Sequence, residues 1–343
     1  MSLATIGRGD FATIGRGDFA TIGVVGGGAW GTALAQVAAA GGADTPIWAR
    51  EAEVVAAIND TSENAMFLPG ITLSPSVRAV ASLDALARAD ALLIVTPAQA
   101  MAGILAALAG QVPRPLILCA KGIAAGGRSV AEVAATALPG WPVAVLSGPT
   151  FAHEVARGLP AAVTLACADE TLGRALCVRL ARPAFRPYWS PDVTGACVGG
   201  AVKNVLAIAC GVVAGRRLGD NARAAVITRG FAEMLRYGLA LGAEAATLGG
   251  LSGLGDLVLT CTGTASRNFS LGVALGEGRR AADVLNETRT IAEGAATAPV
   301  LATAAAACGV DMPIVAAVAG LLDGSTTVEA TIEDLLSRPL RAE

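Results

Sequence analysis

The sequence predicts an α/β chain, with an N-terminal Rossmann-type doubly wound sheet followed by an all-α C-terminal domain. Three observations carry this. Short apolar runs alternate with helical stretches over roughly the first half of the chain. A glycine-rich turn, GGGAWG, lies between the first apolar run and the first helix. Beyond about residue 195 the strand signals fade while helical patterns continue. The 343 residues exceed the roughly 250 to 300 that one core usually reaches, so two domains are expected, at 20–194 and 195–343.

Residues 1–19 stand apart as a tandem repeat, ATIGRGDF twice and then ATIG, running into TIGVVGGG. RGD, at Arg8 to Asp10 and again at Arg16 to Asp18, is an adhesion tripeptide in some secreted proteins, yet no signal-peptide core precedes it. A duplicated start is the simpler reading, and this tail is expected to be disordered or artefactual.

The first strand is TIGVV, and ALAQVAAAG has the length and composition of the helix after it, closing at Gly41 and Gly42. Between them Gly26, Gly28 and Gly31 satisfy G-x-G-x-x-G. The first allows a tight turn, the second lets a pyrophosphate approach the backbone, and the third lets helix and strand pack closely. The helix N-terminus then offers free N–H groups and a partial positive charge to phosphates. Dinucleotide binding is the reading.

A second strand, TPIWA, ends at Arg50, where an NAD site would usually carry Asp or Glu for the ribose 2′-hydroxyl. An arginine pairs instead with a 2′-phosphate, so NADP(H) is expected to be preferred, with NAD(H) possible. The alternative is an exposed arginine opening the next helix beside Glu51.

Further strands are expected at ALLIVT (91–96), PLILCA (115–120), PVAVLSG (142–148), AAVTLA (161–166) and AFRPYW (184–189), with helices such as SLDALARA and DETLGRALCVRLA between several of them. Ligands of doubly wound sheets sit beyond the carboxyl ends of the strands. That directs attention to Thr96-Pro97, to Lys121-Gly122 and to Ser147-Gly148-Pro149-Thr150. Lys121 could aim an ammonium into the crevice; a solvated loop lysine is the other reading.

In the second half GGAVKNVLAIACGVVAG, beginning at Gly199, is apolar all round apart from Lys203 and Asn204, as a helix buried in a helical domain is. A buried ammonium without a partner costs several kcal/mol, so Lys203 must reach the surface or meet an acid or ligand. Asp256, a lone acid after the glycine-rich loop GGLSGLG, is one candidate partner. Ser266-Arg267-Asn268 opens a further helix, where an arginine, a hydroxyl, an amide and free N–H groups suit a phosphate. Capping by Ser266 with Arg267 solvated is the alternative.

Composition narrows the partners. Net charge is −3 and there is no basic block, so the field that would attract nucleic acid or an anionic membrane is missing. The chain is 54% apolar, but Pro and Gly interrupt its long uncharged stretches, which argues against a membrane span. Seven scattered cysteines with no C-x-x-C pair suggest reduced thiols in a cytoplasm and neither zinc nor another metal. His153, the one histidine, lies in a first helical turn with no acid beside it except Glu154, whose side chain is expected to point elsewhere; it receives no role.

Together IGVVGGGAWGTALA, CAKGI, SGPTFAHEVARGLPAA, GGAVKNVLAIACGV, GLSGLGDLVLTC and the SRN of TASRN resemble the bacterial NAD(P)-dependent glycerol-3-phosphate dehydrogenases, from about Thr21 to the last helices. The resemblance implies reversible hydride transfer from NAD(P)H to dihydroxyacetone phosphate, giving sn-glycerol 3-phosphate for glycerophospholipids. It implies Lys203 as general acid/base with Asn204 and Asp256 beside it. Lys121, Gly148, Thr150, Ser266, Arg267 and Asn268 would hold the substrate. Gly26, Gly28, Ala29, Trp30, Gly31, Arg50, Lys121, Ala152, Arg267, Ile291 and Glu293 would meet the cofactor. Cys197 departs from the family pattern and receives no role. A homodimer fits the family, although helix packing within one chain explains the Ala-rich helices equally. Two other readings stand open here: a Lys/Asn dehydrogenase of another oxo or hydroxy acid, and a catalytically silent NADP-binding regulator.

Overall fold

Ile22–Val25 (β1) is buried along its whole length, as a strand covered by helices on both faces must be, and it lies in the interior of the sheet. The computed structural model describes residues 19–287 and 292–337, so the repeat up to Asp18 and the expected cofactor contact Ile291 lie outside the described residues. After β1 come α1 (Ala29–Ala40), β2 (Thr45–Trp48), α2 (Ala52–Thr61), β3 (Val77–Val80), β4 (Ala91–Ile94), α3 (Ala98–Leu108), β5 (Leu116–Leu118) and α4 (Val130–Ala137). The sheet is completed by β6 (Val143–Ser147), α5 (Ala152–Ala156), β7 (Ala161–Cys167), α6 (Glu170–Leu180) and β8 (Phe185–Ser190). Only helices follow among the described residues: α7 (Val193–Gly215), α8 (Asp220–Ala240), α9 (Ala245–Leu248), α10 (Asp256–Cys261), α11 (Arg267–Gly276), α12 (Ala281–Glu287), α13 (Glu293–Ala307), α14 (Pro313–Asp323) and α15 (Val328–Ser337).

The eight strands run in the order β3-β2-β1-β4-β5-β6-β7-β8. The first six have the doubly wound dinucleotide-binding order and are parallel; β7 pairs antiparallel with β6, and β8 parallel with β7. Val24 sits opposite Ile47 on one side and Leu93 on the other. Side chains alternate between two apolar layers. Val24, Leu93 and Ile117 face α1, α2 and α6, while Val25, Leu92, Ile94 and Leu118 face α3 and α4. The strand order reverses between β1 and β4, which opens a crevice at their carboxyl ends.

Three local expectations are corrected. Strand β3, VRAV, was not foreseen, because four alternating residues at a sheet edge give little signal. SLDALARA forms one 3-10 turn, Leu83–Leu86, rather than a helix. Arg114 Nη1 donates to the Leu86, Ala87 and Ala89 carbonyls at 2.6–3.2 Å, so those acceptors are satisfied without another turn. The glycine-rich segment before Asp256 is a π-helical turn, Leu251–Gly255, leading directly into α10, a widened geometry often found near functional sites.

Helix α7 is the centre of the helical part. Asp192 caps it, accepting from Gly195 N at 2.7 Å. The helix is long and apolar enough to cross a bilayer, but 94% of its most apolar window is buried inside the protein, as in a core helix. Its closest neighbour is α11. A Cβ on Gly211 would overlap the Phe269 carbonyl, and one on Gly272 would overlap that of Ile208, so the two helices meet backbone to backbone, nearer than side chains would allow.

Candidate active site

The buried ammonium of α7 has its acid. Lys203 Nζ donates to Asp256 Oδ1 at 3.1 Å and to Thr260 Oγ1 at 2.9 Å. Asp256 is fully buried and its other oxygen, Oδ2, accepts from Lys121 Nζ at 2.8 Å. One carboxylate is therefore shared by two lysines. Lys121 also donates to the Gly148 carbonyl at 2.8 Å and to Thr150 Oγ1 at 3.3 Å. Gly148 has φ 152°, in the region that favours glycine. The loops after β5 and β6 and the helices α7 and α10 thus converge at the carboxyl edge of the sheet.

Burial lowers the Lys203 pKa to about 8 because the charged form loses hydration; Asp256 opposes that shift, and the nearby Lys121 charge adds to it. The amine can both give and take a proton near neutrality.

A second network surrounds this pair. Asn204 Nδ2 donates to the Lys121 carbonyl at 2.6 Å, and Asn204 Oδ1 accepts from Asn268 Nδ2 at 2.9 Å. Asn268 Oδ1 accepts from Gly294 N at 2.9 Å, and Glu293 Oε2 accepts from Lys121 N at 3.3 Å. The bonds close a ring through the loop after β5 and the helices α7, α11 and α13. Asn204 has both amide atoms committed to this ring.

Ser266 and Arg267 stand outside the ring. Ser266 Oγ caps α11 by accepting from Phe269 N at 3.2 Å, and Arg267 is exposed with no ion-pair partner among the described residues. In this conformation the capping reading describes Ser266, while the Arg267 guanidinium is free to meet an anion.

The residues expected at the cofactor lie around the β1–α1 turn. Gly28 is the N-cap of α1 and no side chain caps the helix, so its first N–H groups are unclaimed. A Cβ on Gly28 would meet nothing within 4 Å, whereas one on Gly31 would overlap the Gly26 carbonyl. There is open space where a phosphate would approach and tight packing where the helix meets the turn. Trp30 Nε1 is buried without a partner there. This arrangement fits a dinucleotide. Ala152 opens α5, which packs on α1. Arg50 follows β2 with 83% of its side chain exposed, and its Nη2 lies 2.7 Å from Glu51 Oε1.

His153 corrects one expectation: Glu154 Oε1 lies 3.8 Å from its Nε2 instead of pointing away. It stacks on Phe151 at 6.0 Å between ring centroids and takes no part in the lysine cluster. Thr260 was not singled out from the sequence. It is one turn beyond Asp256, and that i, i+4 spacing was the available signal; its hydroxyl also donates to the Asp256 carbonyl at 2.6 Å.

With this geometry in place, comparison with known proteins is direct. Residues 21–173 match the family model described as NAD-dependent glycerol-3-phosphate dehydrogenase N-terminus, and residues 192–333 match its C-terminus counterpart. A protein of Erythrobacter litoralis named glycerol-3-phosphate dehydrogenase [NAD(P)+] is 59% identical over 321 residues, 93% of this chain and 97% of the relative. One of the same name from Novosphingobium aromaticivorans is 60% identical over 322 residues, with the same coverage. The crystal structure of glycerol-3-phosphate dehydrogenase from Coxiella burnetii superposes with a TM-score of 0.90 at 37% identity, covering 94% of this chain and all of that one. Matched by the family models over both halves, and by relatives about 60% identical over 93% of its length, the chain belongs to the NAD-dependent glycerol-3-phosphate dehydrogenase family.

Proposed function

We propose that the protein interconverts dihydroxyacetone phosphate and sn-glycerol 3-phosphate, with Lys203 as the general acid and base. The observation that carries the proton-transfer role is the shared carboxylate, with Lys203 Nζ and Lys121 Nζ on opposite oxygens of a fully buried Asp256. When bound, NAD(P)H supplies the hydride. The oxygen of the substrate carbonyl gains negative charge as the ketone is reduced, and Lys203 hands it a proton while the Lys121 charge stabilises it. In the oxidative direction the same amine takes the hydroxyl proton, and its lowered pKa suits that task. Asp256 and Thr260 aim the amine. Asn204, through the ring, keeps the Lys121 loop against α7.

Ser266, Arg267 and Asn268 at the start of α11, with Gly148, Thr150 and Lys121, form the substrate grip. An exposed guanidinium beside a helix N-terminus is suited to the phosphate. Gly26, Gly28, Ala29, Trp30 and Gly31 receive the pyrophosphate side of the cofactor, Arg50 the 2′-phosphate of NADP(H), and Ala152, Ile291, Glu293 and Arg267 complete the contacts. We place the enzyme in the cytoplasm, working as a homodimer that supplies the glycerol phosphate backbone of phospholipids.

A single assay tests the reading: loss of NADPH absorbance with dihydroxyacetone phosphate and then with unphosphorylated dihydroxyacetone. Robust turnover of the phosphorylated ketone alone is expected. Oxidation of NADPH with neither ketone rejects the proposal in favour of a cofactor-binding protein without this chemistry.

A further inference from the structure

The connection between α2 and β3 sends one side chain into the glycine turn. Asn64, fully buried, donates from Nδ2 to the Gly27 carbonyl at 2.8 Å and to Thr32 Oγ1 at 2.7 Å. Thr32, also fully buried, uses its own hydroxyl proton on the Gly28 carbonyl at 2.9 Å. The amide is oriented by Phe67 N, which donates to Asn64 Oδ1 at 3.3 Å, and Leu68 N donates to the Asn64 carbonyl at 2.8 Å. Asn64 thus heads a tight turn of its own and spends both amide hydrogens outside it.

The two carbonyls that Asn64 reaches, one directly and one through Thr32, belong to particular peptide planes. In a trans peptide the C=O of one residue and the N–H of the next point in opposite directions, and the described chain has no cis bond. Holding the Gly27 carbonyl inward therefore turns the Gly28 N–H outward, whereas the Gly28 carbonyl is already held along α1 by Thr32 N at 2.9 Å, with the Thr32 hydroxyl as a second donor. A Cβ on Gly28 would meet nothing within 4 Å, so the turn is open on that side. A carbonyl facing that space would repel a phosphate, and one buried without a donor would cost about 1–3 kcal/mol.

We infer that Asn64 is a positioning residue for the cofactor pyrophosphate, acting through the Gly27 carbonyl to aim the Gly28 N–H at the anion, with the Thr32 hydroxyl holding the Asn64 amide in register. The inference rests on the assignment of this turn to NAD(P)H. It makes the α2–β3 connection part of the cofactor site although the connection itself need not touch the cofactor.

The test measures the NADPH dissociation constant of the full chain by nicotinamide fluorescence, beside kcat and KM. Asn64→Ala should raise the dissociation constant about ten-fold, equivalent to ~1.4 kcal/mol, and Thr32→Val at least three-fold. The kcat at saturating cofactor and the KM for the ketone should change less than two-fold. Glu63→Ala is the control. Glu63 Oε1 accepts from Gly70 N at 2.7 Å, so this change loosens the same connection without touching the glycine turn and should leave NADPH binding as in the parent. The inference is overturned if folded Asn64→Ala and Thr32→Val proteins bind NADPH within two-fold of the parent, or if Glu63→Ala weakens binding as much as they do. It is also overturned if all kinetic constants decline together. Should Asn64→Ala fail to fold, the isosteric Thr32→Val decides. A parent chain that does not bind NADPH would instead refute the assignment of the turn, a separate result.

Discussion

Lys203 Nζ stands 3.1 Å from Asp256 Oδ1, with the lysine side chain 8% exposed and the aspartate 0%. The pair is tolerable in an apolar helix because the carboxylate has a second cation, Lys121, on its other oxygen, so that three charges, each with a partner, share one buried place.

Replacing Lys203 by methionine keeps the length of the side chain and leaves Asp256 paired with Lys121. The fold should survive. Turnover should fall by about 10²- to 10⁴-fold, the usual contribution of a positioned acid or base, while the NADPH dissociation constant stays within two-fold of the parent. Stopped-flow reduction and fluorescence titration measure the two quantities, and near-normal turnover would remove Lys203 from the mechanism.

The pH dependence of the two directions should differ in sign. With Lys203 in the proposed role, glycerol-phosphate oxidation needs the neutral amine, so its rate should rise through about pH 8, and ketone reduction should decline over the same range. Asp256 raises the Lys203 pKa, so in Asp256→Asn both inflections should move below that value. Stability follows the same group. The folded pKa of about 8 lies below the ordinary 10.5, so between those values the unfolded chain holds a proton that the folded chain has released. Lys203 therefore makes the protein gain stability as pH rises through that window. From pH 8 to 10 the urea midpoint of the parent should therefore rise relative to that of Lys203→Met; the buried thiols, whose raised pKa values act in the opposite direction, do so in both proteins and cancel in the difference.

Arg267→Ala should raise the KM for dihydroxyacetone phosphate by about 10- to 100-fold, corresponding to the ~1.5–3 kcal/mol of a charge-assisted hydrogen bond. Any residual activity on unphosphorylated dihydroxyacetone should be unchanged. Equal losses on both ketones would mean that Arg267 does not read the phosphate.

The Arg50–Glu51 pair is a surface contact and is worth little, so the guanidinium can leave it for a 2′-phosphate. Arg50→Asp should lower the ratio of kcat/KM for NADPH to that for NADH by at least about 10-fold. An unchanged ratio would withdraw the case for NADP preference.

Asn204→Ala would leave the Lys121 carbonyl and the Asn268 amide without their partners. Loss of about 1–3 kcal/mol of stability is expected, read from urea unfolding. Turnover should also fall, because the Lys121 loop is released from α7. A variant with parental stability and turnover would show that the ring is dispensable.

Much of this arrangement was legible from residue order because its signals are local. Gly26, Gly28 and Gly31 sit between an apolar run and a helix, and Lys203 interrupts an apolar segment conspicuously. The contacts that give these residues their chemistry are not local. Lys121 and Asp256 are 135 positions apart, and Asn64 and Gly27 are 37 apart; neither distance has a periodicity that composition or spacing could reveal. β3 escaped for a different reason. Val77–Val80 is too short to show a pattern until Val77 and Ala79 are seen opposite Thr45 and Ile47. The π-helical turn before Asp256 reads as a loop because glycines usually mark one, whereas here Gly253 is required by close packing on the Leu248 carbonyl.

The bare backbone contact of Gly211 with Gly272 has one more consequence. In the proposed mechanism α7 carries the proton donor and α11 begins at the anion grip, and two helices packed backbone to backbone would fix the span between them. That span is a gauge of molecular length. A homologous ketone with one more carbon before its phosphate would reach one end of the gauge and overshoot the other, and would be refused by fit before any chemistry began.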